Sequence, residues 1–352
     1  MRGYTKGDVK GKDIFAGIDL HRKAWHVTVL CEGEDVFKGS IPGRWEALRH
    51  LLERYKGSRI KAAYEAGYFG FWLYDHLIEY GAECIVTPPS LLPIEYGNKV
   101  KTDRRDSKKL ALLLAKGMLK NVWVPDKEGR HHREVSRRRR QLIVDRVRTQ
   151  CRIKAALRLY GIDIPEPSGK WSKTYLENIG RFRFGDRWMD GSFRLLLEQY
   201  EFLNAAIKEQ TELLKGLSET ERYKEKVEIL RSVPGIGLIV AMEILLELGD
   251  VSRFKKADQL AAYVGLTPSQ YSSADKVRMG RITRAGKNGL RGTLIESAWR
   301  IITKDGAMRE CYERIKNRSG SKRAIVAIAR RLLLSTRRML LENRPYMSGL
   351  AA

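Results

Sequence analysis

Between Arg130 and Leu159 the chain runs for thirty residues without a glycine or a proline. Apolar residues recur there at Leu142, Val147, Ala155 and Leu159, so the stretch predicts one long helix. Residues 129–158 also hold eleven Arg or Lys against Glu134 and Asp145, a net of +9. Like charges at helical spacing repel, and so one-sided a balance leaves no room for salt-bridge lacing. A solvated face is the plain reading of any charge run; phosphate contact, through Arg137, Arg138, Arg139 and Arg140 above all, is the preferred one here. Pro165, Pro167 and Gly169 then mark a loop, and Leu195 to Leu217 resumes as helix. Two long helices around a loop predict an antiparallel coiled-coil arm, for which helix–helix packing is the default use.

A second basic stretch, residues 276–331, holds sixteen Arg or Lys against Glu296, Asp305, Glu310 and Glu313, a net of +12. The two stretches supply 21 of the chain's +25 net charges. An excess of this size points to a polyanionic partner, with nucleic acid as the default. Phosphate contacts carry no sequence information, so DNA and RNA stay equally open on this ground. A hydrophobic content of 43% excludes a wholly disordered chain. No signal peptide is readable at the start, and the longest apolar runs are cut by Glu243 and Glu247 or by Arg330 and Arg331, so no membrane span is expected. Cys31, Cys84, Cys151 and Cys311 lie far apart, which argues for a reducing, cytoplasmic setting and against a zinc finger.

The first part of the chain alternates strand-like and helix-like segments. Strands are expected at 13–20, 25–32, 36–41, 59–65 and 83–87, and helices at 44–55, 69–80 and 106–119, which together make an α/β layer with a mixed sheet. Acids stand at telling places in it. Asp19 ends the first strand in Ala-Gly-Ile-Asp-Leu-His, and Glu65 ends another apolar run in Ala-Ala-Tyr-Glu-Ala-Gly. Asp103 and Asp106 open a helix, with a spacing that puts both on one face. Singly, each has an ordinary use as a helix cap or strand end. As a set they have the chemistry that holds Mg²⁺ or Mn²⁺ against a phosphodiester.

The remainder is predicted to be mainly helical. Val233-Pro-Gly-Ile-Gly237 between apolar segments looks like a helix-hairpin-helix turn, in which Gly235 and Gly237 let backbone N–H groups approach a phosphate; a plain helix–helix turn is the alternative. Tyr271, Ser272 and Ser273 are read as a polar loop ahead of the basic segment Gly280–Arg291. Arg278, Arg281, Arg284, Lys287 and Arg291 are expected to meet nucleic acid, the first three supporting attack on a phosphodiester. Tyr271 is a rival nucleophile to the serines, although all six histidines, which tyrosine-based strand exchange usually needs, precede residue 133.

Asp19 in Gly-Ile-Asp-Leu-His-Arg-Lys, Glu65 in Tyr-Glu-Ala-Gly and Lys-Thr-Asp-Arg-Arg-Asp closely resemble the Asp-Glu-Asp-Asp pattern of the insertion-sequence family one-ten, and Gly265-Leu-Thr-Pro268 matches a hallmark of its C-terminal domain. The resemblance implies three regions: an RuvC-like (RNase H-like) nuclease domain over 13–128, the basic helix and coiled-coil arm over 129–221, and a C-terminal transposase domain over 222–345. It further implies a metal site of Asp19, Glu65, Asp103 and Asp106 and a catalytic serine that falls on Ser273, with Ala274 where the family commonly has glycine. Donor and target DNA, a structured guide RNA, a homodimer assembling to a tetramer, and a prokaryotic, nucleoid-associated setting are likewise what it implies. Two other functions fit the residues: a metal-dependent junction endonuclease that needs the acids without a serine, and a non-catalytic RNA- or DNA-binding protein that needs neither.

Overall fold

The computed structural model describes residues 9–93, 103–165, 171–273, 276–283 and 286–348, with the side chains of 103–104 and 271–279 outside that description. The chain divides into two compact units, one ending at Val124 and the other beginning at Pro125.

In the first unit the apolar runs form β1 (Asp13–Leu20), β2 (Ala24–Cys31), β3 (Glu34–Pro42), β4 (Arg59–Glu65) and β5 (Glu83–Thr87), in the spatial order β3-β2-β1-β4-β5. The first three strands pair antiparallel, whereas β4 runs parallel to β1, and β5 parallel to β4. This mixed five-stranded sheet is consistent with an RNase H-like domain. Ile14, Ile18, Trp25 and Tyr64 are fully buried. Helix α1 (Trp45–Glu53) turns Leu48, Leu51 and Leu52 inward at helical spacing, and α2 (Trp72–Glu79) does the same with Leu73 and Leu77. Helix α3 (Asp103–Ala115) begins three residues earlier than the periodicity predicts and stops short of Leu119. Gly117 at φ 64° ends it, with the Gly117 N–H on the Leu114 carbonyl (3.0 Å) and the Met118 N–H on the Leu113 carbonyl (2.9 Å).

The second unit opens with α4 (Lys127–Leu159), capped where the Asp126 carboxylate accepts the Gly129 N–H at 2.6 Å. It packs along α6 (Arg187–Ser218). Arg139 bonds Thr211, Arg146 bonds Asn204 and Thr149 bonds Gln199, so the partner number falls as the α4 number rises and the helices are antiparallel. The segment between them contains a helix that composition hid, α5 (Lys173–Arg181), capped by Ser172. Its Tyr175 and Ile179 close a small core with Ile153, Leu157, Trp171, Phe193 and Tyr200.

Beyond the arm lie α7 (Lys224–Arg231), α8 (Leu238–Leu248), α9 (Ala257–Val264), the hairpin β6 (Pro268–Ser273) and β7 (Lys276–Ile282), then α10 (Asn288–Lys304), α11 (Gly306–Ser319) and α12 (Ser321–Glu342). One core, including Leu230, Ile244, Leu260, Leu294, Ile301 and Leu332, joins these helices. The hairpin corrects the expected polar loop at 271–273. Hydroxyl-rich side chains do not prevent a backbone ladder, and Ser272 pairs with Val277 and Ser273 with Lys276. Among the described residues no helix is long and apolar enough to cross a membrane.

Candidate active site and nucleic-acid surface

Strand register and one glycine set where the acids of the first unit stand. Ile18 of β1 lies opposite Tyr64 of β4 in a parallel pair, so Asp19 and Glu65, the next residues on each strand, leave the same edge of the sheet side by side. Gly17, opposite Thr28, is where α3 seats on β1: a Cβ there would stand 2.1 Å from the Ser107 carbonyl oxygen and 2.4 Å from the Ala111 nitrogen. The Thr28 and Ser107 hydroxyls share a buried 3.0 Å hydrogen bond that fastens the same contact. Asp106, half-buried, immediately precedes Ser107, and Asp103 opens the same helix. The middle of α3, at Ser107 to Ala111, is thereby held against β1 two residues short of Asp19. Asp19 also meets His21, Oδ2 to Nε2 at 3.2 Å. Among the described residues no three acid, histidine or cysteine side chains are drawn into a closed cage, the Asp103 side chain lying outside them. The donors are carboxylate oxygens, the chemistry that suits a hard divalent ion.

In the second unit, the turn between α7 and α8 separates its two glycines by role. Gly235, at φ 99°, packs on α10, where a Cβ would meet the Arg300 Cβ at 2.9 Å, so its requirement is internal. Gly237 is exposed and N-caps α8 without a side-chain partner for the first amides. Ser273 is the last residue of β6, opposite Lys276, and Tyr271 is opposite Arg278; Arg284 lies outside the described residues. Arg281 is exposed, and Arg291 bonds Asn288 in the first turn of α10.

The basic helix is less free than its charge suggests. Arg133 donates to the Leu246 carbonyl (2.7 Å), Tyr263 to the Glu247 carbonyl (3.2 Å) and Arg253 to the Leu248 carbonyl (3.2 Å). These three side chains satisfy the last carbonyls of α8, where a helix end favours positive charge. Arg137 makes a two-pronged pair with the buried Glu247 (2.7 and 3.0 Å), Arg140 pairs with Glu243, and Arg139 bonds Thr211. Arg138 faces solvent, as do Arg148, Arg152 and Arg158 further along. Lys287 is half-buried; burial and the nearby charge of Arg137 pull its ammonium below the ordinary value, with Glu247 opposing.

Two family models match the chain. One, an IS110 DEDD model described as "Transposase", spans residues 16–162 and so takes in Asp19, Glu65, Asp103 and Asp106. The other, described as "Transposase IS116/IS110/IS902 family", spans residues 227–313 and takes in the glycine turn, the hairpin and the start of α10. Both models are of IS110-family transposases, and the chain resembles that family across these two regions. Among its relatives is a protein of Sinorhizobium fredii designated transposase y4qE, 29% identical over 94% of this chain and 82% of the relative. The transposase for insertion sequence element IS1111A of Coxiella burnetii is 24% identical over 75% of this chain and 73% of its own. A pilin gene-inverting protein of Moraxella bovis is 26% identical over 71% of this chain and 69% of its own.

Two features of the candidate site are not evident from the sequence alone. Gly17 is a glycine inside an apolar strand, which often marks a close backbone approach, and His21 is a lone histidine two residues from Asp19. The buried Glu247 gives an expected pH dependence. Burial alone would raise its carboxyl, yet the hydrogen bonds and charge of Arg137 hold it below the ordinary glutamate range. Stabilisation from the pair is therefore complete above roughly pH 4.3 and is lost as pH falls through the depressed value. Urea midpoints from pH 7 to pH 3 should fall faster for the wild type than for Glu247→Gln. Parallel curves would remove Glu247 from the acid response.

Proposed function

We propose that this transposase is an RNA-guided, site-specific DNA recombinase that cuts and rejoins donor and target DNA through a serine-linked intermediate. The observation that carries the reading is the shared sheet edge at which Asp19 and Glu65 end, with the acid-bearing helix α3 seated beside it through Gly17. Asp19, Glu65, Asp103 and Asp106 would hold Mg²⁺ or Mn²⁺, which supplies charge stabilisation at the scissile phosphate when bound. Ser273 attacks that phosphate: a phosphoserine bond forms as one phosphodiester bond breaks, and the freed DNA hydroxyl reverses the exchange on a new partner. Arg278, Arg281 and Arg284 stabilise the charge gathered on phosphorus. Exposed Arg138 and Gly237 and half-buried Lys287 and Arg291 meet nucleic-acid backbone. The guide RNA follows from the family resemblance and suits an excess of +25, which must serve more than one polyanion. Exposed Val144 and Val147 on α4 and Leu195, Phe202 and Leu213 on α6 support pairing of two arms in a homodimer, and two dimers would bring four cutting centres to one junction.

The test is covalent trapping. Protein with Mg²⁺, its co-purifying RNA and DNA spanning the element's ends is run on a denaturing gel beside Ser273→Ala, Ser272→Ala and Asp103→Ala. A protein–DNA adduct lost in Ser273→Ala and Asp103→Ala and kept in Ser272→Ala is the expected result. Cleavage without adduct, persisting in Ser273→Ala, would establish the junction endonuclease instead. Binding without cleavage would leave a non-catalytic binder.

A further inference from the structure

Three residues beyond Glu65 an aromatic ring stands in solvent. Tyr68 is 80% exposed, the highest value of any exposed large apolar side chain among the described residues. Its backbone is nonetheless pinned. The Ala66 N–H bonds the Thr87 carbonyl at the end of β5 (2.8 Å), and the Gly70 N–H bonds the Gly67 carbonyl (3.1 Å). The buried Tyr64 donates its hydroxyl to the Gly70 carbonyl (3.1 Å), and Gly70 closes the turn at φ 63°. Phe69 lies against Tyr68 with ring centroids 4.2 Å apart, bracing the ring from one side. The turn joins β4 to α2 and so rises from the sheet edge at which Asp19 and Glu65 end. A fixed π face beside acids that handle a phosphodiester is suited to one partner, a nucleobase, since every base offers a flat face and stacking on an aromatic ring is tolerant of sequence. In a paired duplex that face is covered by the next base pair and must be uncovered first.

We infer that Tyr68 is a stacking residue: its ring docks against the nucleobase next to the phosphate that Asp19 and Glu65 would engage through a divalent ion, and keeps that base out of the duplex stack. The inference rests on the nuclease reading of the acids. It makes the turn after β4 the element that selects distorted or opened DNA over intact duplex at the point of cutting.

The experiment uses the full chain with its co-purifying RNA and end-spanning DNA in which 2-aminopurine replaces the base on either side of the cut. Binding is read in Ca²⁺ and cutting in Mg²⁺. Wild type and Tyr68→Phe should raise the fluorescence change that reports unstacking followed by ring contact, and Tyr68→Ala should not. Cutting by Tyr68→Ala should fall about ten- to hundredfold on paired DNA. It should recover most of that loss when the flanking base is mismatched, because the cost of opening has been removed beforehand. Cutting by Tyr68→Ala at the wild-type rate would overturn the inference, as would a loss that the mismatch does not relieve. Wild-type protein that cuts in Mg²⁺ and Asp19→Asn that does not secure the underlying reading independently. No cutting by wild type would take both down together.

Discussion

Gly17→Ala is expected to slow DNA cutting about 100-fold while leaving most of the chain folded. The added methyl would stand 2.1 Å from a carbonyl oxygen and 2.4 Å from a backbone nitrogen of α3, and neither atom can swing aside as a flexible side chain would. Relief requires α3 to lift off β1 by an ångström or more, carrying Asp103 and Asp106 away from Asp19 and Glu65. Misplacing a reacting group by about 1 Å costs on the order of 100-fold in rate, and overpacking a tight contact costs about 1–3 kcal/mol of stability. Cutting assays and urea unfolding of the full chain check both. Retained cutting would show that the acids do not depend on this seat. Loss of all cooperative unfolding would show that the contact supports the whole sheet rather than the site.

Arg137→Ala and Arg138→Ala are neighbours with opposite expected outcomes. Arg137 answers a glutamate that is 4% exposed, and removing one partner of a buried pair costs about 3 kcal/mol. Its variant should unfold at lower urea, with the salt dependence of nucleic-acid binding unchanged. Arg138 faces solvent, so its loss should move stability by less than about 0.5 kcal/mol and flatten the slope of log affinity against log salt by about one unit. If the two variants exchange behaviours, the inward and outward assignments along α4 are reversed.

That contrast marks what the sequence could and could not disclose. Strands β1, β4 and β5 were legible because burial writes itself locally, as apolar runs ending at Asp19, Glu65 and Thr87. Asp19 and Glu65 stand out because each lies where such a run stops, and Asp103 and Asp106 because they open a helix. The commitment of Arg137 was not legible, since its partner lies 110 residues away and a run of four arginines reads the same whether it faces phosphate or carboxylate. Helix α5 was hidden by the prolines before it, and the hairpin by hydroxyl side chains that say nothing about backbone pairing. Gly17 was written plainly, but its meaning needed α3 in place.

Helix α4 is 33 residues of unbroken backbone, about 50 Å from end to end. Near its start Arg133 and Arg137 are clamped to α8, and near its finish Ile153 and Leu157 are sealed into the small core with α5. Such an element works as a ruler: the distance and the angular phase between its two ends are both set by residue count. Removing seven residues from each of α4 and α6 would shorten the reach by about 10 Å and return the far end to nearly the same heading. Removing two would leave the length almost unchanged and turn that end by more than half a revolution. An insertion sequence that needed a different span between bound sites could obtain it by trimming whole heptads, with no change to the chemistry at either end.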